Sequence, residues 1–290
     1  KIMSKLDRPI GNIAKNISVK YKNGHVALRD ASFEIPQGSI TGLVGVNGAG
    51  KSTIFKAIMG FVPCTSGQIT ILGDTVQKAL KSNLIAYVPQ SEEVDWTFPV
   101  LVKDVVMMGR YGHMGFLRIP SKKDFEFVDN ALVKVGMVEY ANQQIGELSG
   151  GQRKRVFLAR SIAQNSHIIL LDEPFTGVDV QTEEAIVDLL KKMKTDGKVI
   201  LVSTHNLGSV PEFCDHVVIV TKTVLNYGPI ETNFTHKHLE KAFGGVLRHL
   251  VISGKDLHDD EDHRQVSILT DDERPFVTYD GKHHTIREKE

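Results

Sequence analysis

The chain contains little cysteine and has no excess of charge of either sign. Of its 290 residues only Cys64 and Cys214 are cysteines, which are too few for a disulfide framework and are typical of a protein from a reducing compartment. Its 35 basic and 35 acidic residues cancel, so it lacks the positive charge typical of nucleic-acid-binding proteins. The composition therefore argues against a disulfide-rich secreted protein and against a nucleic-acid partner.

Long apolar runs are also absent from the sequence. The segment 168–171 is typical of its apolar runs and is far shorter than the roughly 18 residues that cross a bilayer. Residues 1–6 lack the apolar segment of a secretory signal. We therefore expect a chain that does not span a membrane and that forms one catalytic α/β domain with a smaller second lobe.

A glycine-rich segment, Gly45-Val46-Asn47-Gly48-Ala49-Gly50-Lys51-Ser52, matches the loop that binds nucleotide phosphates. We call 45–52 the phosphate loop. Its glycines let backbone N–H groups approach the phosphates, Lys51 reaches the terminal phosphates, and Ser52 offers its hydroxyl to Mg²⁺. A strand-like run at 39–44 and a helical pattern at 51–59 flank the loop, which is the context that this motif requires.

A second glycine-rich segment, Leu148-Ser149-Gly150-Gly151-Gln152, precedes a helical pattern at 152–164. We call 148–152 the signature loop. Ser149 is suited to cap this helix, which leaves its hydroxyl and nearby N–H groups facing an anion. An ordinary capped helix would look similar, but paired glycines cost a helix about 1 kcal/mol each. The pair therefore favours close approach of a ligand.

Two adjacent carboxylates, Asp172 and Glu173, follow the strand-like run at 167–171. The carboxyl end of a strand is where open α/β sheets bind their ligands. We expect Asp172 to hold Mg²⁺ through water and Glu173 to accept a proton from the water that attacks the γ-phosphate. An acidic turn without a catalytic role is the alternative, which the upstream phosphate loop disfavours.

Gln90 and His205 also end strand-like runs. The first follows Tyr87-Val88-Pro89 and the second follows Ser203-Thr204, so we expect an amide near the metal and an imidazole near the γ-phosphate. A single histidine at a strand end is more often structural. The surrounding set favours catalysis, and the predicted catalytic residues are Glu173, His205, Gln90 and Lys51, with Ser52, Gln90 and Asp172 as Mg²⁺ ligands.

The ordered set of phosphate loop, Gln90, signature loop, Asp172-Glu173, Gly177-Val178-Asp179 and His205 resembles the ATP-binding subunit of ABC transporters over about 13–245. The resemblance implies ATP and Mg²⁺ as cofactors and a homodimer in which each ATP contacts one phosphate loop and the partner's signature loop. It also implies that Tyr21 stacks on adenine, although a core tyrosine is an alternative. The nucleotide-binding residues it implies are Tyr21, Gly45, Asn47, Gly48, Ala49, Gly50, Lys51, Ser52, Thr53, Ser149, Gly150, Gly151, Gln152 and Asp179.

The expected fold is α/β, an ABC-type P-loop ATPase with a mixed sheet core, an antiparallel β subdomain and an inserted helical subdomain. Strand-like runs lie at 17–21, 27–35, 39–44, 68–72, 84–88, 167–171 and 198–203, and helical patterns at 102–138 and 182–194. The predicted division is an ATPase core at 13–90 and 149–245, a permease-facing helical subdomain at 91–148 and a charged extension at 246–290.

A narrower resemblance rests on the segments at 92–96, 109–115, 118–120 and 175–179, which look like the enterobacterial iron/manganese (chelated-metal) importer ATPases of the Sit/Yfe type. It implies uptake of manganese or iron through an integral membrane permease fed by a periplasmic metal-binding protein, with the ATPase at the cytoplasmic face of the inner membrane. An ATPase for zinc or another substrate is the alternative. A soluble non-transport ABC ATPase is disfavoured, because a second cassette, a long coiled-coil insertion and a strongly basic face are all missing.

The segment 91–120 has the composition of a docking surface. Aromatic and apolar residues expected to be exposed lie there among glycines and charges, which suits a permease helix; they are Trp96, Phe98, Tyr111, Met114 and Phe116. A local packing cluster is the alternative. Because the segment follows Gln90, we hypothesise that it couples hydrolysis to transport.

The C-terminal extension is rich in histidine and acid, in His258-Asp259-Asp260-Glu261-Asp262-His263 and in His283-His284. Metal sensing is one interpretation, but a solvated charge run is favoured. A turn at 271–275 and a short strand within 276–281 are predicted, so the extension is expected to be partly folded.

Overall fold

The computed structural model describes residues 10–90, 98–244, 248–253, 265–270, 276–279 and 282–283, with side chains for 11–90 and 98–244. Its strands are β1 (Ile10–Lys20), β2 (Val26–Pro36), β3 (Ser39–Val44), β4 (Ser66–Ile71), β5 (Asp74–Thr75), β6 (Ile85–Val88), β7 (Ile168–Asp172), β8 (Val199–Ser203), β9 (His216–Val220), β10 (Val224–Pro229), β11 (Arg248–Ser253), β12 (Gln265–Thr270), β13 (Phe276–Tyr279) and β14 (Lys282–His283). Its helices are α1 (Lys51–Ile58), α2 (Val76–Lys81), α3 (Val102–Met108), α4 (Lys122–Lys134), α5 (Gly150–Ala163), α6 (Val180–Thr195), α7 (Val210–Phe213), α8 (Ile230–Asn233) and α9 (His236–Phe243).

The central sheet has six strands in the order β10-β9-β3-β8-β7-β6. All neighbours are parallel except β10, which pairs antiparallel with β9. Strands β3, β7, β8 and β9 are buried at every residue, because both faces of the sheet are covered. The carboxyl ends of β3, β6, β7 and β8 therefore share one edge, where four of the predicted site segments emerge.

Alternate residues of the central strands enter two different cores. Val199 and Leu201 of β8 pack on the side that holds α1 and the antiparallel sheet of order β2-β1-β4-β5, whereas Ile200 and Val202 pack on the side that holds α3 to α6. Helix α1, with Phe55 fully buried, thus lies between two sheets. This packing fixes the phosphate loop, since the loop joins β3 directly to α1.

The mixed central sheet, the antiparallel sheet and the inserted helices confirm the predicted fold class. The helical pattern at 102–138 corresponds to α3 and α4, separated by a short 3-10 turn at Tyr111–His113. The boundaries proposed for the core, the helical subdomain and the extension stay a prediction.

Several elements differ from the sequence prediction. Strand β1 begins at Ile10 rather than at residue 17, because its register shifts around Asn16, whose φ is 49°, and polar residues interrupt the alternation. Strands β9 and β10 were not predicted, although β9 is buried throughout. The C-terminal extension forms an antiparallel sheet of order β11-β12-β13-β14; only β13 was expected there.

Candidate active site

The phosphate loop lies between the end of β3 and the start of α1, as its sequence predicts. Gly50 caps α1 with φ 108°, and a Cβ there would lie 2.7 Å from Leu28 Cδ2. A side chain at Gly45 would lie 2.3 Å from the carbonyl oxygen of Val220. Both positions therefore require glycine, and the first N–H groups of α1 have no partner within the helix and can bind an anion.

Lys51 is buried and turned toward both the loop and the acidic strand end. Its Nζ donates to the Gly45 carbonyl oxygen at 2.6 Å and lies 4.0 Å from Glu173 Oε1. Both side chains are 8% exposed. A positive and a negative group thus form an ion pair beside the place where terminal phosphates are expected.

Asp172 ends β7, and its carboxylate is held by hydroxyl donors from neighbouring strands. Ser203 Oγ donates to Asp172 Oδ1 at 2.5 Å, and the Tyr87 hydroxyl donates to Oδ2 at 3.4 Å. The residue is buried. These hydrogen bonds orient the carboxylate toward the cleft, where its remaining lone pairs can accept from water or bind a cation.

Glu173 adopts an uncommon backbone conformation, with φ 52°. Its amide donates to Ser203 Oγ at 2.9 Å, and its Oε2 lies 2.6 Å from His205 Nδ1. The side chain is buried against these partners. The imidazole thus orients the carboxylate that is predicted to accept the proton.

These groups line one pocket of about 270 Å³. Its walls contain the following predicted site residues: Tyr21, Asn47, Gly48, Ala49, Gly50, Lys51, Ser52, Thr53, Gln90, Asp172, Glu173 and His205. Five chain segments distant in sequence therefore converge on a single cleft of mainly polar character, as a phosphate-binding site requires.

Tyr21 lies at the end of β1, on the rim of this pocket, and is half-buried. Its hydroxyl is 3.2 Å from Thr53 Oγ1, and its ring is nearly parallel to that of His25, with centroids 6.4 Å apart. His25 was not predicted. The turn Asn23-Gly24 was the available signal, since a hairpin there brings positions 21 and 25 together, and the Tyr21 amide indeed donates to the His25 carbonyl oxygen at 2.9 Å.

The signature loop caps α5 as predicted. Ser149 Oγ accepts from the Gln152 amide at 3.3 Å, and Gln152 Oε1 accepts from the Ser149 amide at 2.8 Å, which is a reciprocal capping box. Among the residues that the structure describes, those lining the phosphate pocket do not include Ser149, Gly151 or Gln152. Gly150 lines a neighbouring apolar cavity that Gln90 and Glu173 also border. The two predicted anion-binding loops thus line different pockets of one chain.

Asp179 is also not among the described residues that line the phosphate pocket. It caps α6, where its Oδ1 accepts from the Thr182 amide at 2.8 Å. This backbone donor, followed by the Thr182 hydroxyl, lowers the pKa of Asp179. A nucleotide contact by Asp179 stays a prediction.

The predicted docking segment 91–120 is only partly described, and Trp96 lies outside the described residues. Phe98, Tyr111 and Phe116 are 64%, 43% and 100% exposed. The expectation for Met114 is wrong, because this side chain is partly buried against the main core. Exposed apolar residues that the prediction did not name, Leu117 and Ile119, extend the surface.

The histidines at 258, 263 and 284 lie outside the described residues, and the side chain of His283 is not described. In the part of the chain that is described, no cluster of three or more His, Cys, Asp or Glu side chains could hold a metal ion. Over the same part, no helix combines the length and apolarity needed to cross a bilayer.

Comparison with known proteins shows which protein family the chain matches. Residues 28–176 match the family model described as ABC transporter. The chain is 60% identical to the chelated iron transport system membrane protein YfeB of Yersinia pestis, over 92% of this chain and 90% of that protein. It is 54% identical to the manganese transport system ATP-binding protein MntA of Synechocystis, over 84% of this chain and 92% of that protein.

A solved structure, the dimeric post-hydrolysis state of the ATP-binding cassette MJ0796 bound to ADP and Pi, superposes with a TM-score of 0.65 at 27% identity. The match covers 76% of this chain and 98% of that one. The fold observed here is therefore one that binds nucleotide in that cassette.

Proposed function

Since the chain belongs to the ABC transporter family, we propose that it is the ATP-hydrolysing subunit of an importer that takes up manganese and/or iron through an integral membrane permease. The observation that carries the ATPase assignment is the pocket in which the phosphate loop meets Gln90, Asp172, Glu173 and His205. The names of its relatives carry the metal assignment.

The residues of the pocket suit phosphoryl transfer, which needs positioning and charge neutralisation more than covalent chemistry. Lys51 and the N–H groups at the start of α1 bind the phosphates. Glu173 accepts the proton of the attacking water, and His205, 2.6 Å from its Oε2, keeps that carboxylate aimed into the cleft. Tyr21 packs on the base at the rim of the pocket.

Magnesium fits the same pocket. Ser52, Gln90 and Asp172 all border it and offer hydroxyl, amide and carboxylate oxygens, which are the hard ligands that Mg²⁺ prefers. These three residues would hold the ion, which neutralises charge on the β- and γ-phosphates when bound. Ser203 and Tyr87 keep the Asp172 carboxylate oriented for this role.

The functional unit is a homodimer. Because Ser149 is not among the described residues that line its own chain's phosphate pocket, a second copy supplies the signature loop to that pocket. ATP closes the dimer by contacting both chains, and hydrolysis reopens it. Asp179 lies on the loop that follows Glu173 and contributes to the same interface.

The permease docks on the helical subdomain. The exposed Phe98, Tyr111 and Phe116 follow Gln90 in the chain, so this surface responds to occupation of the phosphate pocket. A periplasmic metal-binding protein delivers the ion to the permease, and the ATPase works at the cytoplasmic face of the inner membrane. The transported ion has no need to touch the ATPase.

Uptake of labelled Mn²⁺, Fe²⁺ and Zn²⁺ by the complex reconstituted with its permease in proteoliposomes tests the proposal. We expect ATP-dependent uptake of Mn²⁺ or Fe²⁺, abolished by Glu173→Gln. Uptake of Zn²⁺ alone would favour the zinc alternative. ATP hydrolysis without uptake of any of the three ions would contradict the assignment to metal import.

A further inference from the structure

Lys154 connects α5, which follows the signature loop and is called the signature helix below, to the turn that carries Glu173. This lysine lies on α5, and its Nζ donates to the carbonyl oxygens of Glu173, at 3.4 Å, and of Thr176. Its neighbours Gly150 and Glu173 line the same apolar cavity. A half-buried ammonium group thus bonds to both ends of the four-residue turn 173–176.

The conformation of this turn needs support. Glu173 has a positive φ of 52°, which is unfavourable for a residue with a side chain and persists only where its surroundings hold it. Ser203 of β8 accepts a hydrogen bond from the Glu173 amide. Within the turn, the Thr176 amide donates to the Glu173 carbonyl oxygen at 3.4 Å. Lys154 of α5 is a described side chain that donates to carbonyl groups of this turn.

Electrostatics favour the same arrangement. Burial lowers the pKa of Lys154, and the negative charge of Glu173 opposes that shift. Burial of the Lys154 ammonium group costs desolvation free energy. The Glu173 carboxylate and the two carbonyl groups that it faces offset this cost.

Lys154 is five residues from Ser149, the cap of α5, which corresponds to about 7 Å along a rigid helix. We propose that Lys154 is a positioning residue that holds the turn bearing Glu173 from the signature helix, and so links engagement of the signature loop by nucleotide to alignment of the catalytic carboxylate in the same chain. The inference rests on the proposed function, because it needs Glu173 to be the catalytic base.

The test uses the complex with its permease and compares Lys154→Gln with Lys192→Gln, which removes the same charge from an exposed lysine on α6, outside the permease-facing subdomain. For Lys154→Gln we expect kcat to fall by up to about 10²-fold, as for a misplaced catalytic group, with KM for ATP close to that of the wild type. We also expect the ATP dependence of turnover to lose cooperativity. Lys192→Gln should resemble the wild type, and Lys154→Arg, which keeps the charge, should recover part of kcat.

A double variant separates positioning from a general loss of structure. If Lys154 acts through Glu173, adding Lys154→Gln to Glu173→Gln should lower the residual turnover no further. Wild-type kcat in Lys154→Gln, multiplicative loss in the double variant, or loss of folding in both Lys154 variants would each overturn the inference. Inactive wild-type complex, or normal turnover of Glu173→Gln, would instead contradict the proposed function.

Discussion

At the level of single residues, the buried hydroxyl of Ser203 organises the acidic strand end. It donates to Asp172 Oδ1 at 2.5 Å and accepts from the Glu173 amide at 2.9 Å. Because one side chain orients both carboxylate residues, their different tasks depend on the pairing of β7 with β8. Asp172 faces hydroxyl donors, whereas Glu173 faces His205 and Lys51.

Replacing Glu173 by Gln removes the proposed proton acceptor and keeps the size of the side chain. We expect turnover to fall by about 10²–10⁴-fold, as for loss of a general base, while ATP binding persists because Lys51 and the phosphate loop are unchanged. Steady-state hydrolysis and binding of a fluorescent ATP analogue measure the two effects. Unchanged turnover would show that another group takes the proton.

The sequence predicted which segments meet in the pocket, because parallel strands bring their carboxyl ends together and each motif follows a strand. It did not predict Ser203 or His25. Ser203 is a polar residue inside a buried strand, and only strand register reveals that its hydroxyl lies between Asp172 and Glu173. His25 depends on the hairpin that brings it beside Tyr21.

At the level of elements, a buried ion pair holds helices α3, α4 and α5 together. Arg110, which follows α3, donates from Nε to Asp124 Oδ1 of α4 at 2.9 Å and from Nη1 to the Ala163 carbonyl oxygen of α5 at 2.9 Å. Its guanidinium also lies 4.1 Å from the centre of the Phe127 ring. Three helices thus contact one side chain. This side chain holds α5 in place, and with it the signature loop at the N-terminal end of α5.

Asp124 should make the stability of this group of three helices sensitive to acid. Hydrogen bonds from the Ser121 side chain and amide, and then the interaction with Arg110, lower the pKa of Asp124 to about 2. Since the folded-state pKa lies below the unfolded value of about 3.9, the stabilisation is complete above about pH 4 and is lost as pH falls toward about 2.

We therefore expect Asp124→Asn to lower the free energy of unfolding by on the order of 3 kcal/mol near pH 7, because Arg110 stays buried without its counter-charge. The difference from the wild type should shrink between about pH 4 and pH 2. Urea unfolding across this range measures it, with the exposed Asp129→Asn on the same helix as the control. A penalty independent of pH would mean that the carboxylate charge contributes nothing.

Some regular elements followed from the sequence pattern, whereas the regular, buried β9 and the irregular β1 did not. Strand β3 and helix α1 agree closely with prediction because apolar runs and the glycine loop define both ends. Strand β1 has register shifts near Asn16, so its polar first half carries no alternating pattern. Among the described residues, the strands of the C-terminal extension pair with one another in the order β11-β12-β13-β14, and most of them lie within a segment whose charge suggested a solvated tail.

At the level of the whole molecule, the positions of Lys51 and Ser149 support the proposed homodimer. Lys51 lines the phosphate pocket, and of the described residues that do so none belongs to the signature loop. A cap on α5 alone explains the hydrogen bonds of Ser149 but not the two glycines that follow it. An anion site made by two copies explains both, since the glycines leave the N–H groups of α5 accessible to a phosphate on the partner.

Mixing two inactive variants tests this arrangement directly. Lys51→Ala lacks the proposed phosphate-binding lysine, and Ser149→Arg blocks the signature loop, so in the proposed homodimer either variant alone has two defective sites. In the mixed dimer, Lys51 of one chain meets Ser149 of the other and one site is intact. We therefore expect the mixture to hydrolyse ATP well above either variant alone, with activity that depends on protein concentration. If both residues acted within one chain, every chain in the mixture would stay defective and mixing would restore nothing.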